Sequence, residues 1–88
     1  MACTVNVASP LRSYTSGASR VTADGATVQD VLAHLERRFP GMRFRMIDEQ
    51  DRIRQHIRIY VNSREVRELS DKVAADDEVH LICALSGG

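Results

Sequence analysis

The chain has 88 residues, and its 12 basic and 12 acidic side chains leave no net charge at pH 7. A chain of this length builds one hydrophobic core, and it lacks the basic excess with which nucleic-acid binders neutralise phosphates. No run of about 18 apolar residues predicts a membrane span, and no basic-then-apolar start predicts a signal peptide. We therefore expect one cytoplasmic domain whose partners are neither nucleic acids nor membranes.

The cysteines and histidines do not follow the spacing of a metal site. Cys3 and Cys83 lie far apart in the sequence and form no CxxC pair. His34, His56 and His80 are isolated from one another. Since structural metal sites and disulfide frameworks need closely spaced or more numerous ligands, we expect neither in this chain.

Arginine is enriched in the middle of the chain. The residues concerned are Arg37, Arg38, Arg43, Arg45, Arg52, Arg54 and Arg58. Acids at Asp48, Glu49 and Asp51 interrupt this run, which is typical of a solvated surface. A docking patch is the alternative interpretation, and it stays open.

Two strands are predicted before the first helix. Residues 4–8 alternate, with Val5 and Val7 on one side, as in a half-buried strand. The dipeptide Ser9-Pro10 ends this strand, because proline lacks the N–H that a strand ladder uses. A second strand over residues 18–23 carries Val21 inward, and we expect the two strands to pair as a hairpin.

Residues 27–39 form the predicted main helix. Thr27 is a plausible N-cap, and Asp30 adds an acid to the first turn, where the helix dipole favours it. The apolar residues at helical spacing on one face are Val28, Val31, Leu32, Leu35 and Phe39. Pro40 and Gly41 end the helix. His34 lies off the apolar face, so we interpret it as a surface residue.

Residues 42–55 have no single periodicity. Met42, Phe44 and Met46 are apolar, yet arginines alternate with them. A short second helix and an irregular excursion are both compatible with this pattern.

Three strands complete the chain. Residues 57–61 form a clear strand that directs Arg58 and Tyr60 away from the core, and a short strand follows around Val66. The last strand covers residues 79–84. Its two faces carry Val79, Leu81 and Cys83 toward the core and His80, Ile82 and Ala84 away from it.

The order of these elements predicts an α+β fold of the β-grasp, ubiquitin-like type. One main helix must cover one face of a mixed sheet of four to five strands, because neither layer can bury its apolar side alone. The first and last strands would lie side by side in parallel. The domain would span residues 1–84, followed by a flexible tail over residues 85–88.

In this arrangement, Cys3 and Cys83 lie on the side of their strands that faces the core. Buried thiols of this kind act as small apolar fillers. An offset of about four residues, at ~3.3 Å each, would put Cys3 and Cys83 ~13 Å apart. A disulfide needs Cα atoms within about 7 Å, so we expect two free thiols.

Several segments match a known family in the same order. They are Leu11-Arg12, Ala26-Thr27-Val28, Phe39-Pro40-Gly41, Ile59-Tyr60-Val61-Asn62, Asp77-Glu78-Val79 and Ser86-Gly87-Gly88. Over nearly its whole length the chain resembles the bacterial sulfur carriers related to the molybdopterin synthase small subunit and the thiamin sulfur carrier. The longer middle segment is most similar to the carriers that serve cysteine-synthase-type enzymes.

The resemblance implies that the working group is the carboxylate of Gly88 and that no side chain is catalytic. An E1-like adenylating and sulfurtransferase enzyme would use ATP to adenylate Gly88, and sulfide would then leave a thiocarboxylate. Gly87, Ser86 and Leu85 would thread into the partner, and a sulfur-accepting biosynthetic enzyme would receive the sulfur. The chain would be a carrier rather than an enzyme, without a bound cofactor, and a monomer when free.

The outer face of the last strand is the predicted docking surface. Ile82 alternates away from the core there, with Tyr60 and Arg58 nearby, and exposed apolar side chains often mark partner contacts. Two positions depart from the family: Asp76 stands where glycine is usual, and Cys83 where proline is frequent. Both lie near the expected contact with the activating enzyme, so the choice of that enzyme stays open.

Other functions are compatible with part of the pattern. The small subunit of molybdopterin synthase uses the same chemistry with a different acceptor. A ubiquitin-like modifier would form isopeptide bonds, and the single lysine, Lys72, argues only against chains of the protein on itself. A Gly-Gly end alone could also be no more than a flexible terminus. A stand-alone enzyme is disfavoured, because no nucleophile–base constellation or phosphate loop can be placed.

Overall fold

A mixed five-stranded sheet lies at the centre of residues 2–83, the part of the chain that the computed structural model describes. The elements are β1 (Ala2–Val7), a 3₁₀ helix (Ser9–Thr15), β2 (Arg20–Asp24), α1 (Val28–Arg38), α2 (Met42–Met46), β3 (Ile57–Val61), β4 (Arg64–Glu65) and β5 (Glu78–Cys83). The strand order across the sheet is β2-β1-β5-β3-β4. The predicted α+β, β-grasp architecture is therefore confirmed, with five strands.

The first and last strands pair in parallel, as predicted. Val5 lies opposite Val79 and Val7 opposite Leu81, and all four side chains are buried. β2 pairs antiparallel with β1, which confirms the hairpin, and β3 pairs antiparallel with β5. Because β5 is hydrogen-bonded along both edges, it offers a partner only its outer face and its ends.

The main helix begins and ends where the sequence predicted. The Thr27 hydroxyl accepts a hydrogen bond from the Asp30 N–H at 3.2 Å and so caps the first turn. Phe39 is the C-cap, and its N–H donates to the Leu35 carbonyl. The apolar face of α1 packs into the same core as the inner side chains of β1, β3 and β5. His34, half-buried, accepts a hydrogen bond from the Asp24 N–H at 2.9 Å.

The segment after α1 combines the two possibilities that the sequence left open. Met42 and Met46 lie one turn apart on the same side of α2 and are fully buried. Phe44, between them, faces away from the core and is 58% exposed. After α2 the chain makes an irregular excursion that a single bridge between Ile47 and Ile53 closes.

Glu36 holds the junction between α1 and α2. Its carboxylate accepts hydrogen bonds from the N–H of Gly41 at 2.9 Å and from that of Arg43 at 3.0 Å, and these bonds lower the pKa of Glu36. Gly41 has a φ of 95°, a conformation that favours glycine. A Cβ there would stand 3.2 Å from the Tyr14 ring. Pro40 and Gly41 thus separate α1, capped by Phe39, from α2, which Gly41 precedes, as the predicted helix end at this dipeptide requires.

Element boundaries before and after the helix differ from the predictions. Residues 9–15 form a 3₁₀ helix that the sequence did not predict, and it buries Leu11. β2 begins at Arg20 rather than residue 18, with Ala23 buried and Val21 packed at the core's margin. β4 ends just before Val66. The ends of a strand depend on where its neighbouring strand forms hydrogen bonds with it, and the local sequence does not contain this information.

The two cysteines are free, and the register keeps them apart. Since Val5 lies opposite Val79, Cys3 is level with Asp77, six residues before Cys83. At ~3.3 Å per residue this offset is ~20 Å, larger than the predicted separation and far beyond disulfide range. Cys3 is buried and its thiol donates to the Ala23 carbonyl at 3.3 Å.

The acidic corner (Asp76, Asp77 and Glu78) closes the end of the sheet where β5 begins. Asn62 donates to an Asp77 carboxylate oxygen at 3.0 Å and accepts from the Glu78 N–H at 3.0 Å. The other Asp77 oxygen accepts from the Ala74 N–H at 2.8 Å. The Ala74 N–H, and secondarily Asn62, lower the pKa of Asp77. Asp76 adopts a left-handed conformation, with a φ of 72°.

Candidate functional site at the end of the last strand

The candidate site is the end of the sheet at which β5 finishes. Leu81 lies opposite Val7 on one side and opposite Ile59 on the other, and Cys83 lies opposite Ile57. The predicted working residues follow directly in the sequence. They are Leu85, Ser86, Gly87 and Gly88, and all four lie outside the described residues.

The three predicted docking residues lie together on the outer face of the sheet. Ile82 is 42% exposed and lies opposite Arg58, and Tyr60 lies opposite His80. The Arg58 guanidinium donates to the carbonyls of Gln55 and Ile57 at 2.8 and 3.1 Å, which holds it along the strand. The predicted face assignment is confirmed, and the docking role stays a prediction.

A polar row crosses the same face beside Ile82. Asn6 donates to a Glu78 carboxylate oxygen at 3.0 Å and lies 3.2 Å from Nδ1 of His80. Arg20 donates to the Asn6 amide oxygen at 3.2 Å, so the amide nitrogen faces the imidazole and Nδ1 accepts. No local pattern in the sequence predicts this row. The alternation of β1 places Asn6 on the outer face, and a parallel register with β5 would have placed it beside His80.

An open groove lies beside the paired ends of β1 and β5. Its lining includes Pro10, Arg12, Arg20, Ile82 and Cys83. The Arg12 side chain donates to the Val7 carbonyl at 3.0 Å and so satisfies the end of β1. In the sequence, Arg12 is only part of a motif that matches the family. In the structure, its hydrogen bond to Val7 holds the end of β1 beside the candidate site.

On the helical side of the same strand end lies a second depression, lined by Phe44, Arg45, Glu49, Arg54 and His56. The Arg54 guanidinium carbon stands 4.6 Å from the centre of the Phe44 ring, and its Nε donates to the Phe44 carbonyl at 2.7 Å. His56 directly precedes Ile57, the partner of Cys83 in the sheet. This depression therefore borders the end of β5.

The arginine-rich segment is divided between two environments. Arg37, Arg38, Arg45, Arg52 and Arg58 are exposed, as a solvated surface predicts. Arg43 and Arg54 are half-buried, and both lie beside Phe44 in the sequence or in space. The solvated-surface interpretation is confirmed for the exposed set, and the docking alternative stays open.

The Cys83 thiol at this site is a poor nucleophile. Burial raises the pKa of Cys83, and the nearby Arg45 guanidinium opposes this only partly. Burial also raises the pKa of Cys3. Because the thiolate is the reactive form of cysteine, a raised pKa keeps both thiols in the less reactive, protonated form near neutral pH.

Neither a metal cluster nor a membrane-spanning segment is found in the described part of the chain. Among residues 2–83, no three His, Cys, Asp or Glu side chains converge in a way that could hold a metal ion. Within the same residues, no helix has the length and apolar character needed to cross a bilayer.

Comparisons with known proteins agree with this architecture. The model of the ThiS family matches residues 5–88. Sulfur carrier protein CysO of Mycobacterium tuberculosis is 32% identical over 93 aligned positions that cover both chains completely. In the crystal structure of the Amycolatopsis orientalis BexX/CysO complex, a chain 32% identical to this one superposes with a TM-score of 0.91, covering 98% of this chain and 99% of that one.

A third similarity is to a small archaeal modifier protein. SAMP1 of Haloferax volcanii superposes with a TM-score of 0.83 at 26% identity, and each chain is covered completely. The family model nevertheless matches the chain up to Gly88, and the alignment with CysO covers the full length of both chains. The chain therefore belongs to the ThiS family, as a ubiquitin-like sulfur carrier protein similar to CysO.

Proposed function

We propose that the carboxylate of Gly88 is adenylated by an E1-like enzyme and converted to a thiocarboxylate that donates sulfur to a biosynthetic acceptor. The acceptor belongs to the biosynthesis of cysteine or of another sulfur-containing metabolite. The observation that carries the proposal is the similarity to the sulfur carrier CysO over the complete chain, which includes the terminal Gly-Gly. Since ATP is consumed, we expect the reaction to take place in the cytoplasm.

The chemistry requires activation because a free carboxylate is a poor electrophile. A Gly88 oxygen attacks the α-phosphate of ATP, pyrophosphate leaves, and an acyl adenylate forms. A sulfide equivalent then attacks the carbonyl carbon, and AMP leaves with the electrons of the broken C–O bond. Sulfur replaces one oxygen of the carboxylate, so the mass of the chain rises by ~16 units. The partner enzyme supplies ATP and all catalytic groups.

Glycine at the last two positions suits this reaction. Gly88 has no Cβ to crowd the reacting carbon, and Gly87 accepts backbone angles that other residues avoid. Five residues in an extended conformation span ~13–15 Å, enough to enter a partner's active site. In this proposal Gly87, Ser86 and Leu85 thread into the partner while the folded domain stays outside.

The outer face of β5 is the proposed docking surface for the activating enzyme. Ile82 is one of two large apolar side chains exposed in the described part of the chain, and Arg58 lies beside it. Both are close to the end of the strand that leads to Gly88. A complex of CysO with BexX shows that a protein similar to this one assembles with another chain, which supports a protein partner here.

A role as a protein modifier is the second candidate. SAMP1, which superposes well on this chain, is a small archaeal modifier protein. A modifier uses the same activated Gly88 but transfers it to lysine amines. Immunoblots of cell lysate separate the two functions, because a modifier gives a ladder of larger conjugates and a sulfur carrier gives one free species. The small subunit of molybdopterin synthase differs only in its acceptor, and co-purification with a pterin-binding subunit would identify it.

Intact-mass measurement tests the proposal directly. The wild-type chain is incubated with ATP, sulfide and candidate E1-like enzymes, beside a variant that lacks Gly88. We expect the wild type to gain ~16 mass units and the truncated chain to gain none, since its terminal carbonyl is misplaced. A truncated chain that is converted as readily as the wild type would refute the role of Gly88.

A further inference from the structure

The groove beside the ends of β1 and β5 carries positive charge next to apolar surface. Its lining contains two arginines, Arg12 and Arg20, together with His80, and it contains no aspartate or glutamate. Arg12 belongs to the 3₁₀ helix and Arg20 begins β2, so two separate elements bring these cations to one groove. Pro10 and Ile82 are among the apolar residues of the same lining.

A row of hydrogen bonds on the outer face of the sheet holds Arg20 in place. Arg20 lies opposite Asn6 in the β1–β2 ladder, and its Nε donates to the Asn6 amide oxygen at 3.2 Å. The Asn6 amide nitrogen donates to a Glu78 carboxylate oxygen at 3.0 Å and to Nδ1 of His80 at 3.2 Å. Because these contacts fix the Asn6 amide, the Arg20 guanidinium is oriented before a partner binds, which lowers the entropy cost of binding.

Both guanidinium groups of the groove are bound through Nε alone. Nε of Arg12 donates to the Val7 carbonyl at 3.0 Å, as Nε of Arg20 does to Asn6. Within residues 2–83, neither Nη1 nor Nη2 of these two arginines has a hydrogen-bond or ion-pair partner. These two nitrogens form the planar fork with which arginine binds a carboxylate through a pair of hydrogen bonds.

The acids of the strands do not neutralise this groove. The described strands contain three, all on the outer face and none in the lining of the groove: Asp24, Glu65 and Glu78. Glu65 pairs with Arg58 at 3.8 Å, and Asp24 lies at the far end of β2. Glu78 is near the groove through its bond to Asn6. When its charge is counted fully against the two arginines, one positive charge remains, and such a surface complements an acidic one.

The groove is continuous with the proposed docking surface, because Ile82 lines it. Arg58, another residue of that surface, lies opposite Ile82 on the neighbouring strand β3. A partner that covers Ile82 therefore borders the groove, and this follows from the described residues alone.

We infer that the groove binds an acidic side chain of the enzyme that activates Gly88, with the Arg20 guanidinium as the main contact. This inference rests on the proposed function. An aspartate or glutamate of the enzyme accepts hydrogen bonds from the Nη groups of Arg20, while neighbouring apolar side chains of the enzyme cover Ile82. The charged contact accelerates encounter and fixes the orientation in which the carrier docks.

Charge reversal at Arg20 tests the inference, with Lys72→Glu as a matched control. Arg20 and Lys72 are both exposed, and both changes replace a cation by an anion. Lys72 is bridged to Thr27, which follows β2 at the end of the sheet where β1 begins, away from the groove. Adenylation is measured by ATP–pyrophosphate exchange, with the E1-like enzyme that converts the wild-type chain in the mass assay. Thermal melting shows whether each variant is folded.

We expect Arg20→Glu to raise the KM for the carrier on the order of tenfold with little change in kcat, because a charge at the rim of an interface acts on encounter. Arg20→Gln should raise KM less, since it removes the attraction without adding repulsion, and it keeps the test decisive if Arg20→Glu does not fold. Lys72→Glu should leave KM unchanged. Raising the salt concentration should reduce the difference in KM between the wild type and Arg20→Glu, because salt screens both attraction and repulsion.

Three results would overturn the inference while leaving the proposed function intact. The first is a wild-type KM for the folded Arg20 variants at low salt. The second is an equal rise in KM for Arg20→Glu and Lys72→Glu, which would indicate only a response to net charge. The third is a lower KM for Arg20→Glu, which would indicate that the carrier's own terminal carboxylate occupies the groove. If no E1-like enzyme adenylates the wild type, the proposed function fails and this inference fails with it.

Discussion

The two ends of β5 differ in how their polar groups are satisfied. At its beginning, Asn62 and Asp77 bond to each other and to backbone N–H groups of Ala74 and Glu78, so the acidic corner satisfies itself. At its end, two large apolar side chains are exposed and Arg45 has no ion partner within residues 2–83. The first end stabilises the fold, and the second leaves apolar and charged side chains exposed.

This difference follows from what each end must do. A loop that enters the central strand must hold its register, because a one-residue slip would turn every side chain of β5 to the wrong face. The end of the strand leads to the proposed reacting residue and therefore gains by leaving contacts unformed until a partner binds. Substitutions at the two ends should accordingly affect different measurements: stability at the first, activation at the second.

The largest effect is expected from Gly87→Val at the functional end. A β-branched side chain restricts the backbone and widens the tail, so the chain should no longer enter the activating enzyme. We expect no detectable gain of ~16 mass units under conditions in which the wild type is converted. The melting temperature should stay unchanged. Conversion at the wild-type rate would show that the tail is not confined at this position.

A smaller effect on activation is expected from Ile82→Asp. A carboxylate on the docking face should raise the KM for adenylation about tenfold, because it removes an apolar contact and desolvates a charge. Exposed substitutions change stability by less than about 0.5 kcal/mol, so the fold should be retained. Thr22→Asp, exposed on the same sheet at the edge strand β2, serves as the control. Severe unfolding of Ile82→Asp would contradict the exposed position of this side chain.

Acid should affect the opposite end of β5. The folded pKa of Asp77 lies below the ordinary value of 3.8, so its contribution to stability is present above that pH and is lost as the pH falls through the lower, folded value. We expect the melting temperature to drop over this range, and Asp77→Asn to show a weaker drop. Glu68→Gln is the control, since the exposed Glu68 side chain accepts no hydrogen bond from residues 2–83. Equal acid profiles for all three proteins would exclude Asp77 as the source.

The smallest effect is expected from Asp76→Gly. Asp76 has a φ of 72°, a conformation in which glycine avoids the clash of a Cβ with the backbone. The gain is partly offset by the greater freedom of glycine in the unfolded chain, so we expect a stabilisation of a few tenths of a kcal/mol. Denaturant unfolding measures it, and adenylation should be unchanged. A clear loss of stability would mean that the Asp76 side chain makes a stabilising contact.

The resemblance noted glycine as the usual residue at position 76, and the structure explains why. Asp76 has a left-handed backbone conformation just before β5, and glycine is the residue that adopts this conformation most easily. In this chain an aspartate adopts it instead, at the end of the molecule remote from the proposed reaction. The expectation that both departures lie near the docking surface is therefore wrong for Asp76, which precedes β5, and holds only for Cys83 at its end.

Much of the fold could be predicted from local patterns. The alternation in β1, β3 and β5 assigns Val5, Ile59 and Leu81 to the core, because a strand has a period of two. The spacing in α1 gives one apolar face, and Thr27 marks its beginning. These features depend on neighbours within one element, so a single sequence contains them. The residues at the Gly-Gly end could likewise be identified from their order with the other motifs.

The tertiary structure decided which distant residues meet. In the sequence, apolar and basic residues alternate over residues 42–46, and this pattern does not show which side chains are buried. The structure buries Met42 and Met46, so Phe44 faces outward. Pairing of β3 with β5 then brought Phe44 to the end of the last strand. The sequence by itself determined the strands, the main helix and the terminal glycines. The parallel register and the position of Phe44 beside the strand end arise from contacts between residues far apart in the chain, which no local period encodes.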